Sequence, residues 1–147
     1  MRADSAAGPA DPRMAAYFDG QHHPQHALSP RTGYVALLDQ RVIAYVAGHL
    51  TERHRCDGEL QYLFVAPAFR RMGIARELLR MLAKWFETHQ ARKICVGVAN
   101  DSAPETKPFV EALGAVPLRR HWYAWQDIGR LLRQGVRYRR QTKEHTP

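Results

Sequence analysis

Residues 59–82 read ELQYLFVAPAFRRMGIARELLRML, and the fold turns on how this stretch is divided. Glu59–Val65 is rich in strong β formers, with Leu60, Tyr62 and Phe64 expected on one side of a strand and Gln61, Leu63 and Val65 on the other. Pro67 lacks an N–H and stops the strand. From Gly73 to Gln90, Ile74, Leu78, Met81, Leu82 and Trp85 recur at helical spacing, while Arg76, Arg80, Lys84 and Glu87 fall mostly off that stripe. A strand, a short turn and a helix joined this way expose the unpaired N–H groups of the first helical turn, which carry a partial positive charge. Arg70, Arg71 and Arg76 add full charge beside them, and Gly73 and Ala75 lack the bulk that would keep an anion off the backbone. A pyrophosphate suits this arrangement; so does an ordinary connection whose arginines face solvent. Neither Gly-x-Gly-x-x-Gly nor Gly-x(4)-Gly-Lys-Ser/Thr occurs, which excludes a dinucleotide fingerprint and a P-loop.

Upstream, Tyr34–Asp39 and Val42–Leu50 are β-rich runs joined at Gln40-Arg41, the pattern of a hairpin, and Thr51–Gly58 is a polar loop. Downstream, Lys93–Ala99 is a nearly continuous apolar run, as a buried strand requires. A helix then ends at Leu113-Gly114. Ser102-x-x-Glu105 has the form of a capping box at its start, but Pro108 pushes the regular part to about Lys107. Leu118–Ile128 reads as a last strand, with Trp122 and Ala124 on one face and His121, Tyr123 and Trp125 on the other. Asp127 is placed to cap a short helix, Gly129–Gln134. The expected class is α/β (α+β), with a mixed, mostly antiparallel sheet flanked by helices.

With 147 residues the chain is one domain, long enough to bury a core without staples. The expected organisation is a mobile lead over 1–12, a single domain over 13–134 and a basic tail over 135–147. No apolar run suggests a membrane partner, and the charged first 20 residues do not read as a signal peptide, so the expected location is cytoplasmic. The net charge of +8 is uneven: Met1–Leu118 holds 14 Lys+Arg against 12 Asp+Glu, and Arg119–Pro147 holds 8 against 2. A near-neutral body with a charged end argues against a nucleic-acid partner. Cys56 and Cys95 show no metal-ligand spacing, and Cys95 reads as packing and Cys56 as a loop thiol. His22, His23 and His26, with His49 and His54, have no Cys or carboxylate at ligand spacing, so no metal is expected.

Arg70-x-x-Gly73-x-Ala75, between its strand and its helix, resembles the Gln/Arg-x-x-Gly-x-Gly/Ala signature of the GNAT superfamily of N-acetyltransferases, and "KPFVEALGA" is similar to that family's second helix end. The resemblance spans about Tyr34 to Ile128. It implies a GNAT-like acyl-CoA fold, acetyl-CoA as co-substrate without a metal, and direct transfer of an acetyl group to a primary amine of a small molecule or protein. The backbone of Leu63, Phe64 and Val65 would run beside the pantetheine, and the N–H groups of Arg71, Met72, Gly73, Ile74, Ala75 and Arg76 would hold the pyrophosphate beside Arg70. The cleft would open where Glu59–Val65 parts from Lys93–Ala99. Glu59, eleven residues before Arg70, matches the glutamate base of the histone-acetylating branch, and the Val65 N–H would polarise the thioester carbonyl.

Three positions depart from the pattern. Val110 stands where the family's proton-donating tyrosine is usual, Ala103 where asparagine is frequent, and Ala115 where an aromatic follows the glycine. Tyr62, Tyr123 or a water is left to protonate the leaving thiolate. These departures also fit an alternative, a catalytically weak acyl-CoA-binding regulatory or interaction module. Only 33 residues precede Tyr34, so the usual first strand is expected to be missing. A homodimer partner supplying that strand is one way to cover the resulting edge.

Overall fold

The structure, a computed structural model, describes residues 16, 17, 19, 24, 26–98 and 104–133. The expected lead over 1–12 and basic tail over 135–147, together with His22, His23, Ser102 and Ala103, lie outside the described residues.

Six strands form one sheet: β1 (Ala27–Leu38), β2 (Arg41–Thr51), β3 (Gly58–Val65), β4 (Ile94–Gly97), β5 (Val116–Arg119) and β6 (Trp122–Trp125), in the order β1-β2-β3-β4-β6-β5. All pairs are antiparallel except β3 with β4. Two longer helices, α1 (Ile74–Thr88) and α2 (Thr106–Ala112), follow β3 and β4. The parallel β3–β4 pair needs a crossover, and α1 provides it.

The hairpin turn sits at Asp39-Gln40, one residue earlier than the expected Gln40-Arg41; both residues have positive φ (52° and 68°), as a two-residue I′ turn demands. β1 begins at Ala27, seven residues before the expected Tyr34. β1 runs through Pro30; it is an edge of the sheet among the described residues, and an edge strand tolerates a missing N–H. The expected single last strand is a hairpin, β5 and β6, turning at Arg120-His121. Glu105 is the N-cap residue of α2 and makes no side-chain cap, so the capping-box reading fails. Pro108 is the third residue of α2, where an N–H has no intrahelical partner to lose.

The expected alternation along β3 also fails, for a reason that matters to the site. Ala47 pairs with Tyr62 but Gly48 pairs with Leu60, so Gln61 is an extra residue in a β-bulge. The bulge puts Leu60 on the same face as Leu63 and Val65, in the core under α1, and leaves Tyr62 and Phe64 with Tyr17, Tyr45 and Ala47 on the other face. The main core joins Val46, Leu60, Ile94, Val96, Tyr123 and Trp125 of the sheet to Leu79, Leu82 and Phe86 of α1 and Val110 of α2. A Cβ built on Gly58 would overlap the Phe86 ring and lie 2.9 Å from Ile94 Cδ1. Gly58→Ala is therefore expected to cost about 1–3 kcal/mol by overpacking, read as a lowered urea midpoint with unchanged slope. A midpoint equal to the parent's would contradict this packing.

Candidate functional site

The sheet opens on one side of β3. β3 and β4 pair only at Gly58–Ile94, Glu59–Cys95 and Leu60–Val96; from Gln61 to Val65 the side of β3 towards β4 has no strand partner among the described residues. Beyond Gly97, the Val98 N–H turns to the His121 carbonyl instead. The bulge at Gln61 starts the separation, since an extra residue bends its strand. On its other side, the Ala66 N–H donates to the Ile43 carbonyl. Alternation along extended backbone then turns the peptide groups of Val65 and Leu63 away from β2 and into the opening. The peptide groups of Phe64 turn towards β2, and its ring stacks on Tyr45 at 5.4 Å. Of the three residues expected to line the cofactor with backbone, Leu63 and Val65 thus face the cleft and Phe64 does not.

At the end of the opening the chain makes a 3-10 turn, Pro67–Phe69, and enters α1. Arg70 Nε donates to the Val65 carbonyl at 2.9 Å, and its Nη1 lies 3.1 Å from Glu105 Oε2, so Arg70 ties β3 to the start of α2. Arg71, Met72 and Gly73 are exposed, Met72 at 66%. Gly73 caps α1 in the left-handed region (φ 84°), and nothing lies within 4 Å of where its Cβ would be. The first intrahelical bond is Glu77 N–H to the Gly73 carbonyl, so the N–H groups of Ile74, Ala75 and Arg76 precede the helical ladder. The loop and helix N-terminus therefore form an open, electropositive seat at the mouth of the cleft.

Glu59 lies on the opposite face from α1 and is 5% exposed. Its Oε1 accepts from Arg53 Nε at 3.1 Å and lies 3.4 Å from His49 Nε2. His49 is fully buried, and the hydroxyl of Tyr17 lies 2.9 Å from its Nδ1. Donation from Tyr17 to Nδ1 puts the imidazole proton on Nε2, facing the carboxylate. Among the described residues that nitrogen makes no aligned hydrogen bond, a costly state for a buried donor. Both contacts fall on Oε1, which leaves Oε2 as the oxygen available to a substrate. The guanidinium of Arg53 also lies over the Trp122 ring at 4.8 Å, and His54 meets the same ring edge-on at 4.8 Å.

Sequence reading singled out Glu59 but not the group around it. Tyr17, His49, Arg53 and Trp122 come from four separate segments, and the β2–β3 register sets one of them, His49, opposite Glu59. The aromatic residues of β6 divide as expected: Tyr123 and Trp125 enter the core, and Trp122 faces the Glu59 side. Val110 is fully buried in the core. The Tyr123 hydroxyl donates to Glu111 Oε2 at 2.8 Å, and that carboxylate holds its pKa above the usual tyrosine value. Cys56, expected as a loop thiol, is buried like Cys95; burial pushes both thiols up. Among the described residues no three metal-ligating side chains converge, and no helix is long and apolar enough to cross a membrane.

The architecture is shared with solved acetyltransferase structures. An acetyltransferase from Thermus thermophilus is 21% identical, with 64% of this chain and 62% of that one covered and a TM-score of 0.55. A GNAT-family acetyltransferase from Staphylococcus aureus is 15% identical, covering 65% and 66%, with a TM-score of 0.57. The PaiA N-acetyltransferase from Thermoplasma acidophilum, solved in complex with coenzyme A, is 12% identical, covering 77% and 65%, with a TM-score of 0.55. The chain thus spans just under two thirds of the length of each of these structures. No curated protein matches the chain significantly. The sequence model of the acetyltransferase (GNAT) family matches residues 5–115, which takes in the hairpin, the bulged strand, the open cleft and the glycine-capped helix, and on that match the chain belongs to the GNAT acetyltransferase family.

Proposed function

We propose that this protein is an acetyl-CoA-dependent N-acetyltransferase acting on a primary amine by direct transfer. The observation that carries the reading is the opening of β3 away from β4 beyond Leu60, with two inward peptide groups at one end and the electropositive N-terminus of α1 at the other. The residues present fit the co-substrate: Leu63 and Val65 offer strand-like backbone pairing, Arg71–Arg76 offers N–H groups to a pyrophosphate, and the empty space over Gly73 admits one. Acetyl-CoA, when bound, supplies the acetyl group as a thioester. The Val65 N–H donates to the thioester carbonyl and stabilises the charge that develops there. Glu59, on the far face, accepts the amine proton at Oε2, directly or through a water, while His49 and Arg53 hold its other oxygen. His49 and Tyr17 are positioning residues in this scheme.

Val110 has no proton to give, and its burial in the core supports a second reading, an acyl-CoA-binding module with slow transfer. A thiol with a pKa of about 8.5 also leaves as the thiolate without an acid, so the substitution does not by itself stop the reaction. Two measurements decide between the readings: thermal unfolding with acetyl-CoA, and thiol release with a panel of primary amines. Stabilisation together with amine-dependent release is the expected result. Stabilisation without release from any amine selects the binding module, and no stabilisation overturns both.

A further inference from the structure

Beside Trp122, on the Glu59 side of the sheet, lies a cavity of about 330 Å³ lined by His54, Arg55, Leu118 and Arg119. Its place follows from register. Glu59 pairs with Cys95 and Cys95 with Ala124, so these three share a face, and Trp122, two residues before Ala124, shares it too. The cavity is reached from Glu59 through Arg53, which touches both the carboxylate and the indole, and through His54 on the same indole.

The lining is cationic and contains no acid. Among the described residues, no carboxylate forms an ion pair with Arg55 or Arg119. Arg119 Nη1 lies 3.1 Å from His54 Nδ1. A guanidinium only donates, so Nδ1 is the acceptor and the imidazole proton sits on Nε2, which has no hydrogen-bond partner among the described residues. Burial and the guanidiniums of Arg119 and Arg53 hold the His54 pKa below the usual histidine value, which keeps the ring neutral and able to accept from Arg119 at neutral pH. His54 and Arg55 are held at positive φ (55° and 61°), a strained backbone that keeps both side chains at this corner.

We propose that this cavity is the seat of an anionic group on the acceptor, so that the substrate is an amine joined through several bonds to a carboxylate or a phosphate. The seat is made by Arg119 and Arg55, with His54 orienting Arg119. The contacts that lead from Glu59 to the seat run over the Arg53 guanidinium and the Trp122 indole, a path longer than the adjacent amine and carboxylate of a simple α-amino acid. An extended chain, amine at Glu59 and acid at Arg119, spans it. The inference rests on the acetyl-transfer reading for the amine end, whereas the anion seat stands on its own geometry.

Two experiments test it. Inorganic phosphate is titrated into the protein while the His54 imidazole and Trp122 indole signals are followed by NMR, each assigned with its own variant, His54→Gln and Trp122→Phe. These signals are local, so phosphate settling at the α1 N-terminus does not register in them. Saturable shifts of both signals that disappear in Arg119→Met are expected; signals that phosphate leaves unmoved overturn the seat. Acetylation is then compared within two matched pairs, 6-aminohexanoate against 6-aminohexanamide and 6-aminohexyl phosphate against 6-aminohexanol. A charge-assisted contact predicts a preference of about ten-fold or more in kcat/KM for the acidic member of at least one pair, carried mainly by KM. The pair that discriminates identifies the anion, and in Arg119→Met the ratio falls towards one. A protein that acetyl-CoA stabilises but that discriminates in neither pair overturns the proposal. Absence of stabilisation by acetyl-CoA instead overturns the acetyl-transfer reading, and the phosphate titration is unaffected by that result.

Discussion

Gly73→Glu is expected to abolish the thermal stabilisation that acetyl-CoA confers on the parent protein. A ligand at about 100 times its dissociation constant adds ~2.7 kcal/mol to the folded state. In a domain of this size each kcal/mol raises the melting temperature by roughly 2–4 °C, so the parent shift is several degrees. The substitution has two separable effects. A Cβ at Gly73 meets nothing within 4 Å among the described residues other than its chain neighbours, so a side chain there occupies the open space a pyrophosphate needs, and a carboxylate repels one. The backbone at φ 84° also disfavours any side chain, by about 1–2 kcal/mol. Gly73→Ala separates these effects, since it keeps the strain and removes the charge and most of the bulk. The variants without ligand are therefore expected to melt a few degrees below the parent, with a shift surviving in part in Gly73→Ala and gone in Gly73→Glu. An undiminished shift in Gly73→Glu would place the co-substrate elsewhere.

The second large effect is at Glu59. Glu59→Gln keeps the shape of the side chain and an oxygen for Arg53 and His49 but removes the proton acceptor. Turnover is expected to fall by about 10²–10⁴-fold, the range for loss of a positioned base, while stabilisation by acetyl-CoA is retained. Glu59→Ala is a poorer test, because it leaves the Arg53 guanidinium and a buried imidazole facing a void, and that costs stability as well as activity. Turnover equal to the parent's in Glu59→Gln at neutral pH would remove Glu59 from the mechanism and leave the neighbouring His49 as the group to examine.

The strand–turn–helix unit around Gly73 was legible from one stretch of sequence because everything in it is local. A proline stop, a glycine without bulk and a helical apolar period each act within a few residues; the structure ends β3 before Pro67 and begins α1 after Gly73, but the buried face of α1 is Leu78, Leu79, Leu82, Ala83 and Phe86, and Met81 of the expected stripe is exposed. Glu59 was singled out by the family resemblance, through its spacing from Arg70 along one strand and one turn. The errors arose where a feature depends on partners distant in sequence. The first strand was expected from Tyr34, but pairing with β2 carries it back to Ala27. Gln61 reads as one step in an alternation, but pairing with β2 makes it a bulge and reverses the faces of every residue after it.

The surroundings of Glu59 show the same division. No spacing in the chain links Tyr17, His49, Arg53 and Trp122; pairing of β2 with β3 sets His49 on the face of Glu59, and pairing of β3 with β4 and of β4 with β6 sets Trp122 there. Side chains alternate with a period of two, so a slip of one residue in any of these ladders would turn His49 or Trp122 to the opposite face and leave Glu59 without its company. Local chemistry along the chain was enough to suggest an anion seat at α1, and the family resemblance was enough to propose the base. The environment of that base, and the cationic cavity beside it, come from strand register, a long-range choice made by burial of the core face that no short window of residues encodes.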